Sequence, residues 1–197
     1  MVSFDSINVH RAAHKFKNYS VFNMGRSIIT LDDLTVNNIG TFKKLLQVTL
    51  PTSYPETWYN DSFNNDQIVK LAFYSELPVG QIRGKLMNSS HNIPNFESAN
   101  TSQLPSNSIP NAIYIESFSV LEAYRQLGIG SKLLEWIIEQ AKEKFIHEIF
   151  LHVHVVNKTV IEWYEKKGFK RSSDVVKDYY KQQGLNEPDA VILTLSV

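Results

Sequence analysis

Arg125-Gln126-Leu127-Gly128-Ile129-Gly130 is the most informative segment of this 197-residue chain. It stands between an apolar run at 113–120, typical of a strand, and an amphipathic segment that begins near Ile129. Two glycines one residue apart allow a tight turn and the close approach of an anion. The helix that follows would present unpaired N–H groups to that anion. The stretch therefore predicts a cradle for a pyrophosphate, and Arg125 adds a guanidinium suited to phosphate oxygens.

The stretch matches neither of two other phosphate motifs. A dinucleotide fingerprint needs a third glycine and an acidic residue about 20 positions on, and a P-loop needs Gly-Lys-Ser/Thr. The remaining pattern, Arg-x-x-Gly-x-Gly, resembles the acetyl-CoA loop of the GNAT acetyltransferase superfamily. That resemblance implies an acetyl-CoA site formed by Phe118, Val120, Arg125, Gln126, Leu127, Gly128, Ile129, Gly130, Ser131, Asn157 and Tyr164.

Composition and charge narrow the possible functions. Lys plus Arg and Asp plus Glu each total 20, so no net field draws the protein to nucleic acid or to an anionic membrane. The chain has no cysteine, which removes disulfides, thiolate nucleophiles and cysteine-ligated zinc. No His-Glu-x-x-His or calcium-loop motif occurs, and we expect no metal. Neither a membrane-spanning run nor a secretory leader is evident, and we expect a cytoplasmic protein.

Strand-like and helix-like segments alternate along the chain, which predicts a single α/β domain with a mixed sheet and helices on both faces. Strands are predicted at 27–31, 68–74, 78–86, 113–120, 148–156, 169–171 and 190–196, with a hairpin turn at 75–77. Helices are predicted after a cap at Thr35, at 56–63, from about Ile129 to Phe145, and from a cap at Asn157 to Gly168.

Two segments stand outside this pattern. Residues 1–23 carry Arg11, Lys15 and Lys17 against one acid, Asp5. We expect a poorly ordered extension, and a mitochondrial transit peptide stays open as the alternative. Residues 88–110 are rich in Ser, Asn and Pro, which predicts a flexible insertion without chemistry. The predicted acetyltransferase domain then comprises residues 24–197.

The resemblance also implies where the reaction takes place. In GNAT enzymes the strand before the glycine loop and the next central strand splay apart, and the acetyl thioester lies between them. Strict alternation would put Tyr114, Glu116 and Phe118 on one face of the first strand, with Ile115, Ser117 and Ser119 on the other. On the second strand His152 and His154 would share a face with Phe150. By periodicity alone, each histidine is also compatible with a core residue bonded to a backbone carbonyl.

Longer strings resemble the NatE-type N-terminal acetyltransferases. They are Tyr114-Ile115, Leu121-x-x-Tyr124-Arg125-x-Leu127-Gly128-Ile129-Gly130, Leu151-His152-Val153 with Asn157, Tyr164 with Gly168-Phe169, Pro51-x-x-Tyr54, and Tyr179-Tyr180. The resemblance implies acetylation of the α-amine of protein N-termini, preferably an initiator Met before an apolar residue. It implies Tyr114 and His152 as a base acting through ordered water, and Tyr164 beside the coenzyme sulfur. A NatA-type complex and the ribosome are the implied partners.

The predicted peptide site comprises Leu50, Pro51, Thr52, Tyr54, Tyr114, Glu116, Tyr179 and Tyr180. The family usually has a larger apolar or aromatic residue where Leu50 stands and an aliphatic one at Thr52, so the side-chain preference stays open. An unpaired carboxylate at Glu116 would favour a cationic substrate. Acetylation of lysine side chains or of a small amine therefore remains an alternative, as does a largely structural subunit of a NatA-type complex.

Deprotonating the α-amine of a peptide requires little free energy from such a site. Holding an α-ammonium neutral at pH 7 costs about 1 kcal/mol, whereas a lysine ammonium costs about 5 kcal/mol. A histidine with an ordinary pKa of about 6.5 would suit the first proton acceptor. The backbone N–H of Val120 is the candidate donor to the thioester oxygen.

Overall fold

The computed structural model describes residues 28–88, 109–185 and 187–197. Within them seven strands form one mixed sheet in the order β1-β2-β3-β4-β5-β7-β6. The strands are β1 Ile29–Asp33, β2 Gln67–Tyr74, β3 Leu77–Met87, β4 Ala112–Val120, β5 Glu148–His154, β6 Lys170–Val176 and β7 Ala190–Ser196. The helices are α1 Ile39–Thr49, α2 Glu56–Asp61, α3 Ile129–Glu143 and α4 Lys158–Lys166. The predicted α/β class with a mixed sheet is confirmed.

The helix after the glycine loop is the crossover between the two central strands. β4 and β5 run parallel and α3 joins them, while the other strand pairs in the sheet are antiparallel. α3 lies close on the sheet at Gly84, where an added Cβ would come within 2.8 Å of Ile137 and 2.9 Å of Ile113. The apolar stripe of α3 is buried as predicted, at Ile129, Leu133, Leu134, Ile137 and Ala141. Burial of this stripe fixes the start of α3 against the end of β4.

α1 and α2 cover the opposite face of the sheet. A second apolar cluster joins them to β2 and comprises Phe42, Leu45, Leu46, Trp58, Tyr59, Val69 and Leu71. The segment between the two helices, residues 50–55, lies on this face of the sheet, where Leu50 and Tyr54 pack against the same cluster. It contains half of the peptide site predicted from the sequence.

Several predicted boundaries shift in the structure. Thr35 does not cap α1, because residues 35–38 form a turn and the helix begins one turn later at Ile39. Instead, the backbone N–H of Thr35 donates to the side chain of Asn38 at 2.7 Å. β6 extends to Val176 rather than ending at 171, through an irregularity in its pairing with β7 between Arg171 and Val175.

The extension predicted at 1–23 lies outside the described residues, as does most of the insertion predicted at 88–110. Among the residues that are described, no helix has the length and apolar character needed to cross a membrane.

Candidate active site

The site begins where the two parallel strands separate. β4 pairs with β5 only from Ala112 to Tyr114, opposite Glu148 to Phe150. Beyond that point β4 stays paired with β3 as far as Val120, and β5 stays paired with β7 as far as His154. The sheet therefore opens a wedge between β4 and β5 on the side of the glycine loop.

A β-bulge in β4 changes the predicted faces of this strand. The register against β3 shifts between Arg83 and Gly84, so that Ser117 faces Arg83 while Ile115 faces Gly84. The extra residue is Glu116, and the alternation of side chains inverts after it. Ser117 and Ser119 consequently lie on the Tyr114 face, where they bond to Gln81 and Thr49. The prediction that Phe118 shares that face is wrong.

Phe118 lies on the opposite face, toward α3 and α4. Its ring centroid is 5.8 Å from that of Trp163 and 6.3 Å from that of Tyr164. Tyr164 is buried and also contacts Phe169. Burial raises the pKa of Tyr164 above its ordinary value, so its hydroxyl is a proton donor in a hydrogen bond and not a phenolate.

The backbone of Val120 faces the wedge. The N–H of Leu121 donates to Val79 O at 2.8 Å, and Val120 pairs opposite Gly80. In an antiparallel ladder, residues bonded to the partner strand alternate with residues whose N–H and C=O point away from it. Leu121 is bonded to β3, so the N–H and C=O of Val120 point away from β3, toward the gap beside β5. The carbonyl of Val120 accepts a hydrogen bond from Arg125 Nε at 3.1 Å. Its N–H is left directed into the wedge.

The glycine loop has the backbone that its sequence predicts. Gly128 has a φ of +86° and precedes the first residue of α3, and Gln126 also has a positive φ of +62°. Lys132 N–H is bonded to Gly128 O at 3.0 Å, whereas helix geometry leaves the amides of Ile129, Gly130 and Ser131 without intrahelical acceptors. The loop sequence from Arg125 to Ser131 contains no acid. These features suit a bound diphosphate.

Tyrosines from two parts of the chain meet a histidine on the other side of the wedge. The hydroxyls of Tyr114 and Tyr179 are 2.7 Å apart. The His152 ring stacks on Tyr179, with centroids 4.0 Å apart and planes 9° apart, and meets Tyr114 edge-on at 5.6 Å. Tyr180 donates its hydroxyl to the backbone oxygen of His152 at 3.2 Å. The loop before β7 thus holds this histidine from two sides.

His152 is 9% exposed, and neither ring nitrogen has a hydrogen-bond partner among the described residues. Burial lowers the pKa of His152 to about 4. The imidazole is therefore neutral at physiological pH, with one donor and one acceptor available. Burial also raises the pKa of Tyr114 well above its ordinary value. His152, predicted from the sequence as a base with a pKa near 6.5, is therefore a weaker base in this environment.

His154, two residues further along β5, differs from His152 in its surroundings. It is half-buried, and its Nε2 lies 2.7 Å from Glu187 O. This is the backbone-bonded arrangement that the sequence left open for both histidines. It applies to His154 and not to His152.

The predicted peptide residues come together only in part. Tyr54 stacks on Trp58, with ring centroids 4.0 Å apart, and burial followed by the charge of Glu116 raises the pKa of Tyr54. Tyr114 and Tyr179 meet at their hydroxyls, 2.7 Å apart, and Glu116 stands two residues from Tyr114 on β4. Leu50 packs instead against the apolar cluster of α1 and α2. Thr52 is half-buried and Pro51 is exposed at the surface of the loop.

Glu116 is not the unpaired carboxylate expected from the sequence. Its Oε2 lies 2.7 Å from Nε of Arg83, and the two side chains are 0% and 1% exposed. Arg83 was not among the predicted site residues. Its position in β3 alternates with apolar residues, as a solvent-facing residue does, so the pattern gave no sign of its burial.

Asn157 occupies the position predicted for it at the start of α4. Its side-chain oxygen accepts the backbone N–H of Val160 at 3.4 Å, which is a weak N-cap. Among the described residues no group of three or more His, Cys, Asp or Glu side chains is arranged to hold a metal ion.

Comparisons with known proteins agree with this geometry. A family model described as the Acetyltransferase (GNAT) family matches residues 40–169. Probable N-acetyltransferase san of Drosophila melanogaster is 33% identical over 171 residues, which are 86% of this chain and 82% of that protein. N-alpha-acetyltransferase 50 of Danio rerio is 30% identical over 170 residues, covering 86% of this chain and 89% of that protein.

Solved structures give the same result. Arabidopsis thaliana Naa50 in complex with the bisubstrate analogue CoA-Ac-MVNAL superposes with a TM-score of 0.71 at 27% identity, covering 87% of this chain and 100% of that one. The splayed strands, the glycine loop before α3, the family model over most of the chain and two relatives of at least 30% identity agree with one another. The chain therefore belongs to the GNAT acetyltransferase family.

Proposed function

We propose that this protein transfers the acetyl group of acetyl-CoA to the free α-amine of protein N-termini, with an initiator Met before an apolar residue as the preferred start. The observation that carries the proposal is the neutral imidazole of His152, buried with both nitrogens unpartnered among the described residues and enclosed by tyrosines beside the wedge. The similarity to N-alpha-acetyltransferase 50 and to the Naa50 complex supports the same substrate class.

We propose that the residues implied by the resemblance hold the coenzyme. The amides of Ile129, Gly130 and Ser131 and the side chain of Arg125 would hold the diphosphate, with Gln126, Leu127 and Gly128 shaping the turn. Phe118, Asn157 and Tyr164 would border the remainder of the coenzyme. When bound, acetyl-CoA supplies an activated acetyl thioester. Since the chain has no cysteine, we propose direct transfer to the amine without a covalent enzyme intermediate.

His152 and Tyr114 handle the proton by orienting water. Moving a proton from an α-ammonium of pKa about 7.7–8.0 to an imidazole of pKa about 4 costs roughly 5 kcal/mol, whereas binding the amine already neutral costs about 1 kcal/mol at pH 7. The second route has the lower cost. We propose that the amine binds neutral and attacks the acyl carbon, that the C–S bond then breaks and CoA leaves, and that a water held by His152 and Tyr114 accepts the proton released from the amine nitrogen and passes it toward solvent.

Two further groups act on the acyl transfer. The N–H of Val120 is preorganised to donate to the acyl oxygen, because the strand ladder aims it into the wedge. The hydroxyl of Tyr164, kept protonated by its raised pKa, can donate to the departing sulfur. Tyr54, Tyr179 and Tyr180 would line the peptide groove with Leu50, Pro51 and Thr52 at its outer edge.

The pH dependence separates these roles. The pKa of His152 is depressed, so its neutral form is complete above about pH 5 and does not change through neutrality. We therefore expect kcat/KM to rise with pH through the ionisation of the peptide α-amine at about 7.7–8.0, and not through that of His152. Rates between pH 6 and 9 with two peptides of different α-amine pKa check this, because the inflection should move with the peptide. An inflection fixed near 6.5 that disappears with His152→Gln contradicts it.

A peptide assay tests the proposed function. We expect CoA thiol release with a peptide that begins Met-Leu and contains one internal lysine, and at least about tenfold less with the same peptide blocked at its N-terminus. Equal turnover of both peptides would assign the activity to the lysine side chain. Saturable coenzyme binding without turnover of either peptide would overturn the proposal.

The alternatives have less support in the geometry. An unpaired Glu116 would favour a cationic substrate, and the ion pair of Glu116 with Arg83 removes that argument. A purely structural subunit has no use for a buried imidazole whose nitrogens bond to none of the described residues. We further propose a cytoplasmic protein that docks on a NatA-type complex at the ribosome, which co-purification with that complex would test.

A further inference from the structure

A buried ion pair lies under the peptide side of the site. Arg83 and Glu116 are 1% and 0% exposed, and they contact each other at 2.7 Å. Taking two charges out of water costs several kcal/mol each, and apolar residues of similar size often give equal or better stability. Stability alone therefore does not explain the pair.

Arg83 is anchored mainly to α2 and the residues that follow it. Its Nη1 donates to Trp58 O at 2.5 Å and to Ser62 Oγ at 2.8 Å, and its Nε donates to Gln67 Oε1 at 2.8 Å. Its guanidinium carbon lies 3.7 Å from the centroid of the Trp58 ring. The guanidinium thus stands over this indole at the distance of a desolvated cation–π contact.

The contacts continue to the proposed peptide groove. The Trp58 ring also stacks on the ring of Tyr54, with the two centroids 4.0 Å apart and the two planes inclined by 21°. At the other end, Glu116 is the bulge residue of β4, two residues from Tyr114. The Glu116 carboxylate contacts Arg83 Nε directly at 2.7 Å, so it acts on the guanidinium through both charge and close contact.

We propose that Arg83 and Glu116 are positioning residues that hold the Trp58–Tyr54 stack as the wall of the peptide groove. This inference rests on the proposed function, because the groove is defined by the peptide. The bulge sets where Glu116 stands, Glu116 fixes the plane of Arg83, and that plane sets the tilt of Trp58 beneath Tyr54. The coenzyme loop lies beyond the end of β4, at the far end of the strand from Tyr114.

The test uses Glu116→Gln, Arg83→Met and the double variant Arg83→Met/Glu116→Leu. We expect each single variant to raise the peptide KM by about tenfold, with the KM for acetyl-CoA changed less than about twofold. Removing one partner of a buried pair also lowers Tm, whereas the double variant should regain most of it. The raised peptide KM should persist in the double variant, because the guanidinium is still missing from the Trp58 face.

A matched control is Gln81→Leu. Gln81 is fully buried on the same face of β3, two residues before Arg83, and bonds to Ser117 and Ser119 but not to α2. We expect it to lower Tm without changing the peptide KM. A double variant that recovers both Tm and the wild-type peptide KM would show that the pair is structural and would overturn the inference.

Near-ultraviolet circular dichroism of the Trp58–Tyr54 stack tests this inference independently of the proposed function. Glu116→Gln and Arg83→Met should change the tryptophan bands, while Gln81→Leu should not. If wild type acetylates no peptide, the proposed function fails, yet changed bands would still support the positioning of Trp58. Bands identical to wild type in both variants would overturn the positioning role, whatever the activity.

Discussion

Replacing His152 with alanine is expected to lower kcat for peptide acetylation by about 10²- to 10³-fold, with little change in the KM for acetyl-CoA. The imidazole is neutral, sheltered and without hydrogen-bond partners among the described residues, so it is available to hold the water that receives the amine proton. Without the imidazole, this water has no fixed hydrogen-bond partner on β5, whereas the coenzyme loop at the start of α3 is unchanged. Steady-state kinetics with both substrates varied measure the effect.

Tyr114→Phe tests whether one water serves both groups. The variant loses the hydroxyl that lies 2.7 Å from Tyr179 but keeps the ring packed against Phe150. We expect kcat to fall by roughly 10- to 100-fold. If both side chains orient the same water, the double variant should lose little more than His152→Ala alone, because effects within one unit are not additive. Losses that multiply would indicate two independent roles.

His154→Ala is the matched control for the histidine. It removes an imidazole from the same strand, but one that lies 2.7 Å from the backbone oxygen of Glu187. We expect kcat to stay within about threefold of wild type. A comparable loss in His154→Ala and His152→Ala would mean that the effect comes from disturbing β5 and the adjoining loop, and would contradict the role given to His152.

Local sequence rules predicted the coenzyme side of this protein well. Positive φ at Gly128, the start of α3 at Ile129 and its buried stripe all follow from residues within about 15 positions of one another. Glycine conformations and helical periodicity are local properties, which a single sequence displays directly. The alternation of strands and helices likewise predicted the fold class, with errors confined to the ends of elements.

The arrangement of the peptide site could not be predicted from local sequence rules. One extra residue at Glu116 inverts the alternation of β4, and nothing in the run from Ala112 to Val120 marks that bulge. Phe118 was therefore assigned to the wrong face. The pairing of Arg83 with Glu116 joins residues 33 positions apart across two strands, and it appears only once the register is known.

The pKa of His152 could not be predicted for a related reason. Histidine in a central strand is compatible with a bonded core residue, a titrating base or a desolvated neutral ring. Burial decides among these, and the imidazole is covered by Tyr114 and by Tyr179, whose ring stacks on it from a loop 27 residues away. The mechanism changes accordingly from proton storage on His152 to binding of a neutral amine.

Gly128→Val is expected to weaken binding of CoA by about 100-fold, or roughly 3 kcal/mol. Gly128 has a φ of +86°, a conformation that a β-branched residue resists strongly. An added Cβ would meet no heavy atom within 4 Å, so the backbone and not a steric clash is the cause. Relaxing that strain must turn the amides of Ile129 and Gly130 away from the diphosphate, which removes several charge-assisted hydrogen bonds. Isothermal titration calorimetry with CoA measures the loss.

Gly184→Val is the matched control for this strain. Gly184 also has a left-handed φ, +66°, and no heavy atom within 4 Å of an added Cβ, but it ends the short helical turn after Tyr180. Both substitutions should lower Tm by a similar amount, because both force valine into the same region of backbone conformation. We expect only Gly128→Val to lose CoA affinity. Equal affinity losses in the two variants would attribute the effect to general destabilisation, and undiminished binding by Gly128→Val would remove the diphosphate from the start of α3.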